Sequence, residues 1–297
     1  MRTEYREEPC KAALNRVKGM FFGWSLNPYM GCAHRCTFCY VRAFERRADR
    51  PWDERYGQSL RVKVNVAEVL RRELARKSWK RESVTIGAAT DPYQPAEGRY
   101  RLTRQCVQAL AAARTPFSII TRGPLIVRDV DVLAEASRRA KVEVSFSVPT
   151  LDVDVWRTTE PGTAPPGQRL RALRQLVDAG ISAGVAVAPI LPGLSDRPDQ
   201  IEAVIRAARD AGATHLWSGS LNLRPGTREH FLANLANDWP ELVPRYERLY
   251  EGPYLAKRDS EPISRMVNEL RDRYDIHDRR ETPIVPPPDP QQLPLFD

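Results

Sequence analysis

Short runs rich in apolar and β-branched residues alternate along the chain with segments whose apolar residues recur every three or four positions. The short runs predict β-strands and the periodic segments predict amphipathic helices. The predicted strands lie at 21–26, 83–89, 117–122, 142–148, 182–190 and 214–221. The predicted helices lie between them at 64–78, 102–114, 127–140, 167–179 and 198–211. The chain therefore repeats a strand-then-helix unit.

The order of these units predicts an α/β fold. Ala179-Gly180 and Ala211-Gly212 supply helix ends directly before the next strand. Strands that are apolar throughout and covered by helices are typical of a parallel sheet. Six units in series with right-handed crossovers favour a partial, TIM-like (β/α)6 barrel. A doubly wound sheet is the alternative fold.

Both folds place their chemistry in the loops that follow the carboxyl ends of the strands. A cysteine-rich segment follows the first predicted strand, and residues 90–97, 121–124 and 148–152 follow or close the next three. We therefore expect these loops to meet on one rim of the sheet.

The pattern changes after residue 222. Helices are predicted near 227–250 and 260–274, and the last segment, ETPIVPPPDPQQLPLFD, is dominated by proline. Such a segment is expected to be extended, disordered and solvated. The predicted organisation is an N-terminal segment (1–20), a barrel (21–225), a helical C-terminal extension (226–280) and a flexible tail (281–297).

The composition is that of a globular protein with a core, since 42% of residues are hydrophobic and 28% are charged. Neither a signal peptide nor an apolar run of membrane-spanning length is found, so we expect a cytoplasmic protein without a membrane partner. The 46 basic residues exceed the 38 acidic ones, giving a net charge of +8. This excess permits a polyanionic partner and does not by itself establish one.

Three of the five cysteines lie within eight residues, at the spacing Cys32-x3-Cys36-x2-Cys39. In a reducing compartment, clustered thiols are more often metal ligands than disulfides. A structural zinc site needs four protein ligands, but Cys10 and Cys106 lie far away in sequence. A thiolate-bound iron–sulfur cluster with one iron open to a small molecule satisfies the count. Zinc binding and a redox-sensing thiol cluster are the alternatives.

The cysteine spacing, with Phe38 and Tyr40 beside the last cysteine, resembles the signature of the radical S-adenosylmethionine (SAM) superfamily. The resemblance implies that Cys32, Cys36 and Cys39 bind a 4Fe–4S cluster whose open iron chelates SAM. An electron from a partner such as flavodoxin or ferredoxin then cleaves SAM to a 5′-deoxyadenosyl radical, which abstracts hydrogen from the substrate. The protein would contribute orientation and electrostatics.

The same resemblance implies a SAM site at the strand ends. Gly87, Ala88 and Thr90 stand where the family contacts the methionine amino group, although the segment departs from the commoner Gly-Gly-Glu form. Arg122 is the expected partner of the methionyl carboxylate, since a guanidinium binds a carboxylate through two parallel hydrogen bonds. Ser147 is expected at the ribose; for both side chains an ordinary strand-end role is the alternative. The other expected SAM-site residues are Tyr40, Ala188 and Pro189.

A closer resemblance, to the spore photoproduct lyase-like branch of the superfamily, covers roughly residues 22–225. Spore photoproduct lyase repairs a thymine photoproduct in DNA, so the resemblance implies a nucleic-acid or nucleotide substrate. It rests on NPYMGCAHRCTFCYVR (27–42), GAATDPYQPAE (87–97), SVPTLD (147–152), TEPGTAPPGQRL (159–170) and APILPGLSD (188–196).

One departure affects the expected reaction. The lyase carries a hydrogen-donating cysteine in the loop after the second strand, and here that loop, ATDPYQPAEGRY, has none. Cys106 has the helical spacing of a small core residue. Asp91 and Glu97 are candidate ligands of a polar substrate, and Glu160 and Arg169 could pair across the rim; solvated loop charges are the alternative. The candidate hydrogen donors are Tyr40, Tyr93 and Tyr100.

Two further features suggest partners. Gln292–Phe296, QLPLF, resembles the peptide by which bacterial DNA enzymes bind the polymerase sliding clamp, with packing onto the barrel as the alternative. Phe44 and Trp52 lie among arginines and could hold nucleic acid by stacking and phosphate contact. Because glutamates are mixed into this stretch, a solvated helix face is the alternative. The arginines are Arg42, Arg46, Arg47 and Arg50.

These observations predict a radical SAM enzyme, lyase-like or transferase-like, that acts on DNA or a nucleotide. One alternative is a radical SAM enzyme acting on a small metabolite or peptide. The other is a non-catalytic, DNA-associated iron–sulfur binding module.

Overall fold

The computed structural model describes residues 3–20, 22–279 and 284. The strands of this described chain are short and alternate with helices. They are β1 (Glu4–Glu8), β2 (Leu14–Arg16), β3 (Trp24–Leu26), β4 (Tyr29–Met30), β5 (Ser59–Lys63), β6 (Val84–Ile86), β7 (Phe117–Thr121), β8 (Val142–Ser147), β9 (Ser182–Ile190) and β10 (Leu216–Ser220).

The helices follow the same order along the chain. They are α1 (Val41–Arg47), α2 (Val66–Leu74), α3 (Pro95–Tyr100), α4 (Leu102–Ala112), α5 (Val130–Arg139), α6 (Val153–Thr159), α7 (Pro166–Asp178), α8 (Pro198–Asp210), α9 (Thr227–Asp238), α10 (Val243–Leu249) and α11 (Lys257–Arg273). Short 3-10 helices occupy Pro124–Asp129 and Pro240–Leu242.

The main sheet contains seven strands in the order β10-β9-β8-β7-β6-β3-β2. Neighbouring strands from β10 to β3 are parallel, and β2 is antiparallel to β3 at the edge. The six parallel strands are those that the hydrophobic pattern predicts, and their spatial order follows the chain order. A doubly wound sheet would change direction at a switch point. The doubly wound alternative is therefore wrong, and the partial-barrel prediction is confirmed.

The core lies between this sheet and the helices predicted from their periodicity. On α4, Leu102, Cys106, Val107 and Leu110 are buried in the main apolar cluster. Cys106 is 0% exposed, as expected for a small core residue. Complete burial of a leucine or valine side chain contributes roughly 1.5–3 kcal/mol, so this helix face holds α4 against the sheet.

The N-terminal segment contains a sheet that the hydrophobic pattern does not indicate. β1 pairs in parallel with β5, and β5 pairs antiparallel with β4. The sequence of β1 is EYREE, and most of its side chains are exposed. Its placement depends on backbone pairing with β5, which side-chain periodicity cannot reveal. Three helices of six or seven residues, α1, α3 and α6, are too short for the same periodicity analysis.

The C-terminal extension packs on the barrel in two places. Phe231 on α9 and Tyr246 on α10 belong to a buried cluster that also contains Cys36 and Phe38 of the cysteine loop. Helix α11 packs against α8 and β10. The extension therefore supports the loop that carries the three cysteines.

Two sequence expectations concern membranes and the tail. Among the described residues, no helix combines the length and the apolar character needed to cross a membrane. The clamp-binding interpretation of Gln292–Phe296 falls outside the described residues and stays a prediction.

Candidate active site

The cysteine loop connects β4 to α1 at the carboxyl end of the sheet. Cys32, Cys36 and Cys39 are free thiols that line one small cavity of about 70 Å³. The ends of β6 and β7 complete this cavity, hereafter the cysteine cavity, so two of the expected rim loops meet the cysteine loop. The residues of the predicted SAM site that line the cysteine cavity are Tyr40, Gly87, Ala88, Thr90 and Arg122.

Polar side chains from the loop after β6 hold the start of the cysteine loop. Gln94 is fully buried, and its Oε1 accepts the Ala33 N–H at 2.9 Å while its Nε2 donates to the Gly31 carbonyl at 3.2 Å. The Thr90 hydroxyl donates to the same carbonyl at 2.6 Å. Thr90 therefore orients the cysteine loop from inside the cavity wall.

The other side of the cysteine loop is bound to residues 159–163, which begin at the last residue of α6. The Thr37 N–H donates to the Thr159 carbonyl at 2.9 Å, and the Gly162 N–H donates to the His34 carbonyl at 3.0 Å. A Cβ atom at Gly162 would lie 2.4 Å from the Ala33 carbonyl oxygen, so only glycine permits this approach.

Gly57 makes a second close contact with the cysteine loop. Its φ is +78°, and a Cβ atom there would lie 2.3 Å from the Cys32 carbonyl oxygen. A larger residue would have to push the first cysteine out of position.

The surroundings of the thiols suit an iron–sulfur cluster better than a single ion. Burial raises the pKa of Cys36 to about 12, although the nearby Arg122 favours the thiolate, and burial also raises the pKa of Cys32. In the described chain, no group of three or more His, Cys, Asp or Glu is arranged for one metal ion. A cluster binds each thiolate at a separate iron, so its ligands surround it instead of converging. Three soft ligands around one cavity, without a fourth cysteine in its lining, fit such a cluster.

A larger cavity of about 300 Å³ adjoins the cysteine cavity and is called here the upper cavity. The two share Cys36, Cys39, Tyr40, Ala88 and Arg122 in their linings, so they lie side by side. Aromatic and polar side chains complete the upper cavity. The remaining predicted SAM-site residues, Ser147, Ala188 and Pro189, lie in its wall, together with Phe38, Trp217 and Asn222.

Arg122 is held by a buried carboxylate. Its Nε donates to Glu160 at 2.7 Å, and its NH2 group donates to the Ala188 carbonyl at 3.2 Å. Glu160 also accepts from Arg169 at 2.6 Å, which confirms the predicted Glu160–Arg169 pair. Arg169 in turn donates to the Ser147 carbonyl at 2.8 Å. One carboxylate thus fixes the ends of β7 and β8.

Glu160 is 1% exposed and remains ionised despite its burial. Burial alone would raise the pKa of Glu160, but the positive charges and hydrogen bonds of Arg169 and Arg122 lower it below the ordinary value. The charge of Glu160 is therefore part of the folded structure.

Asp91 has a structural position that the sequence did not indicate. Its carboxylate accepts from the Thr121 hydroxyl at 2.7 Å and from the Arg122 N–H at 2.6 Å, and His34 Nδ1 lies 3.3 Å away. Burial opposes ionisation, but His34 and these hydrogen bonds lower the pKa of Asp91 to about 2. Asp91 lines the cysteine cavity, and its contacts bind the cysteine loop to β7.

Some candidate residues lie away from both cavities. Glu97 is 0% exposed and accepts from Tyr29, from the Thr103 N–H and from Arg128, so it cannot reach a substrate and that interpretation is wrong. Tyr93 is buried in the main apolar core. Tyr100 packs edge-on against Tyr5 at the surface. Of the three candidate hydrogen donors, the structure places Tyr40 in the cavity walls, where its hydroxyl donates to the Ala88 carbonyl.

Beneath the upper cavity, the barrel interior contains a space of about 580 Å³ whose lining includes several polar side chains. Phe22, Ile120 and Trp217 line both spaces and so form the boundary between them. Ser145 accepts the Trp217 indole N–H at 3.2 Å and lies 3.0 Å from His215 Nε2. These residues could not be identified from the sequence, because inward-facing polar positions on buried strands look like ordinary strand alternation.

The fold and the three-cysteine cavity together define a class: a partial barrel that presents a cluster-binding loop after its first parallel strand. Residues 26–208 match the radical SAM superfamily, and the chain belongs to it. Membership implies a 4Fe–4S cluster and SAM as cofactors, with Cys32, Cys36 and Cys39 as the residues whose chemistry fits the cluster.

Three similar proteins illustrate the breadth of this family. An uncharacterized protein of Mycobacterium tuberculosis is 40% identical over 94% of this chain and 84% of its own length. The radical SAM Nalpha-GlyT isomerase of Pseudomonas phage M6 is 27% identical over 58% of this chain and 34% of its own length. A spore photoproduct lyase mutant with bound AdoMet and dinucleoside spore photoproduct has a TM-score of 0.70 at 14% identity, covering 91% of this chain and 79% of that one. The last similarity concerns the fold.

We predict that Gly57→Ala disturbs the cysteine loop and that Gly180→Ala does not. Both glycines have a φ of +78°, but a Cβ atom at Gly180 would meet nothing within 4 Å. Both variants should lose about 1 kcal/mol or more of unfolding free energy from backbone strain. Gly57→Ala should in addition retain less iron after reconstitution, measured by iron content and cluster absorbance. Equal iron contents in the two variants would contradict the predicted contact with Cys32.

We predict that Glu160→Gln lowers the free energy of unfolding by about 3 kcal/mol, because it leaves the buried Arg169 and the partly buried Arg122 without their counter-charge. It should also weaken SAM binding, since Arg122 loses its orienting contact. Because the pKa of Glu160 lies below the ordinary 4.5 in the folded state, the stability difference should be present above about pH 4.5 and shrink below it.

Glu135→Gln is the matched control for this experiment. Glu135 also pairs with two arginines, Arg138 and Arg139, but its side chain is 41% exposed. Its substitution should cost about 1 kcal/mol or less and leave SAM binding unchanged. Chemical denaturation and equilibrium dialysis would measure both effects, and similar losses in the two variants would show that burial of the Glu160 pair has no special importance.

Proposed function

We propose that this radical SAM enzyme acts on a base of a nucleic acid or nucleotide. The observation that carries the proposal is that the two cavities adjoin along Cys36, Cys39 and Arg122, which line both. A molecule in the upper cavity would lie directly beside the cluster-binding thiols. Besides the residues assigned to SAM, Phe38 and Trp217 contribute aromatic side chains to the wall of that cavity and Asn222 contributes a polar one, a combination suited to a base.

When bound, the cluster and SAM supply a 5′-deoxyadenosyl radical that abstracts hydrogen from the substrate. The chain's own residues would hold and orient these groups. Cys32, Cys36 and Cys39 would bind the cluster, and Arg122, oriented by Glu160, would bind the methionyl carboxylate. Ser147 would lie at the ribose, with its backbone carbonyl held in place by Arg169.

Two further facts support a nucleic-acid substrate. The chain carries a net charge of +8, which favours a polyanionic partner. A protein of similar fold binds dinucleoside spore photoproduct. Both support the substrate class without identifying the substrate. The name of the phage relative, a radical SAM Nalpha-GlyT isomerase, supports an enzymatic role only.

The test is an anaerobic assay of SAM cleavage. We expect the reconstituted and reduced protein to form 5′-deoxyadenosine from SAM, and ultraviolet-irradiated DNA to increase its yield. Cys36→Ala should abolish the activity, whereas Cys106→Ala is the control because Cys106 lies in the core, away from the cavities. Formation that is indifferent to DNA would favour a small substrate. Absence of 5′-deoxyadenosine from a fully loaded protein would overturn the enzymatic proposal.

Tyr40 is the candidate hydrogen donor that the geometry favours, because it lines both cavities. The Tyr40 hydroxyl donates to the Ala88 carbonyl, so it carries its hydrogen in the cavity wall. We predict that Tyr40→Phe still cleaves SAM but forms severalfold less product from irradiated DNA per 5′-deoxyadenosine. Tyr100→Phe is the control, since Tyr100 donates to Glu7 at the surface. An unchanged ratio in Tyr40→Phe would exclude Tyr40 as the donor.

A further inference from the structure

Arginine side chains stack on aromatic rings at several places in the described chain, and most of these arginines have a carboxylate partner. The guanidinium of Arg209 lies 5.2 Å from the ring centre of Tyr274 and pairs with Asp210. The buried Arg42 donates to backbone carbonyls instead. The other stacked arginines with a carboxylate are Arg16 with Glu82, Arg46 with Glu229, Arg99 with Glu7 and Arg122 with Glu160.

Two stacked arginines differ from the rest. Arg47 lies 4.9 Å from the ring centre of Phe44, and Arg224 lies 5.7 Å from that of Tyr254. Arg47 donates to its own helix at the Ala43 carbonyl, and Arg224 donates to the Tyr254 hydroxyl at 2.6 Å. Within the described residues, no carboxylate lies at ion-pair distance from either arginine. Their charges are therefore available to a ligand.

Both pairs adjoin the upper cavity. The ring of Phe44 meets the ring of Tyr40 edge-on at 5.9 Å, and Tyr40 lines the cavity. Tyr254 forms a backbone bridge with Asn222, which also lines the cavity. Each pair is thus one residue away from the cavity wall.

The two rings are exposed although they are large and apolar. Phe44 is 36% exposed and Tyr254 is 54% exposed. An exposed ring beside an unpaired guanidinium offers a stacking face and a phosphate-binding charge at the same point. The other stacked arginines cannot offer this, because their charges are already neutralised or buried.

We propose that Phe44 with Arg47 and Tyr254 with Arg224 bind single-stranded nucleic acid on either side of the nucleotide that enters the upper cavity. This inference rests on the proposed function and specifies how its substrate is held. Stacking on the rings requires unstacked neighbouring bases, so the surface suits a single strand or an opened duplex. An acidic peptide would use the arginines but would gain no stacking from the rings.

Fluorescence anisotropy with a labelled single-stranded oligodeoxynucleotide tests the proposal on the reconstituted protein. Phe44→Leu and Tyr254→Leu should each weaken binding by roughly fivefold to a hundredfold. Arg47→Gln and Arg224→Gln should each reduce the slope of log affinity against log salt by about 0.7, the value for one phosphate contact on a single strand. A duplex of the same sequence should bind more weakly, and a matched RNA strand shows whether the sugar matters.

Arg209→Gln is the matched control, since it removes a stacked but neutralised arginine on α8. It should leave both the affinity and the salt slope unchanged, and thermal unfolding checks that each variant is folded. The proposal would be overturned if the four variants lost no more affinity for the oligodeoxynucleotide than Arg209→Gln does. It would also be overturned if polyglutamate displaced the labelled strand as strongly as unlabelled DNA does. Because binding is measured without SAM cleavage, failure here is distinguishable from failure of the 5′-deoxyadenosine assay.

Discussion

The carboxylate of Glu160 is the contact on which the site depends. It accepts hydrogen bonds from Arg122 and Arg169, and these arginines bind carbonyls of β9 and β8. The residues around Glu160 also bind the cysteine loop through Thr37 and Gly162. The cysteine loop, Arg122 and the strand ends therefore share one support. The buried guanidinium group of Arg169 and the partly buried one of Arg122 could not stay so close together without this negative charge.

The sequence was sufficient for the barrel because its strands lie in apolar runs and its helices are long enough to show a period. The six parallel strands and their helices lie where the hydrophobic pattern predicts them. The pattern failed for β1, whose exposed sequence EYREE is placed by pairing with β5, and for helices of two turns. Pairing between distant segments leaves no local signal, so the sheet formed by the N-terminal segment could not be predicted.

The site residues that belong to a motif of fixed spacing could be predicted from the sequence. Those whose orientation depends on tertiary contacts could not. The three cysteines and Arg122 lie together, as the resemblance implied. Glu97 was assigned to the substrate because it lies in a rim loop, but α3 turns it into the core, where Arg128 and Tyr29 bind it. The role of Asp91 follows from Thr121 and His34, which are remote from each other in sequence. Loop position alone cannot distinguish a side chain that faces the cavity from one that faces inward.

What each arginine of this chain can do depends on whether it has an acidic partner, and the total number of arginines matters less. A net charge of +8 is spread over a chain in which many arginines are paired with acidic neighbours. Such pairs contribute little to long-range attraction, because each is locally neutral and screened by salt. Arg169, which is buried, and Arg122, which is partly buried, serve the architecture of the site through Glu160. A polyanion therefore contacts those arginines that lack an acidic neighbour. Among them, only the arginines beside the cavity are in a position to contact the substrate.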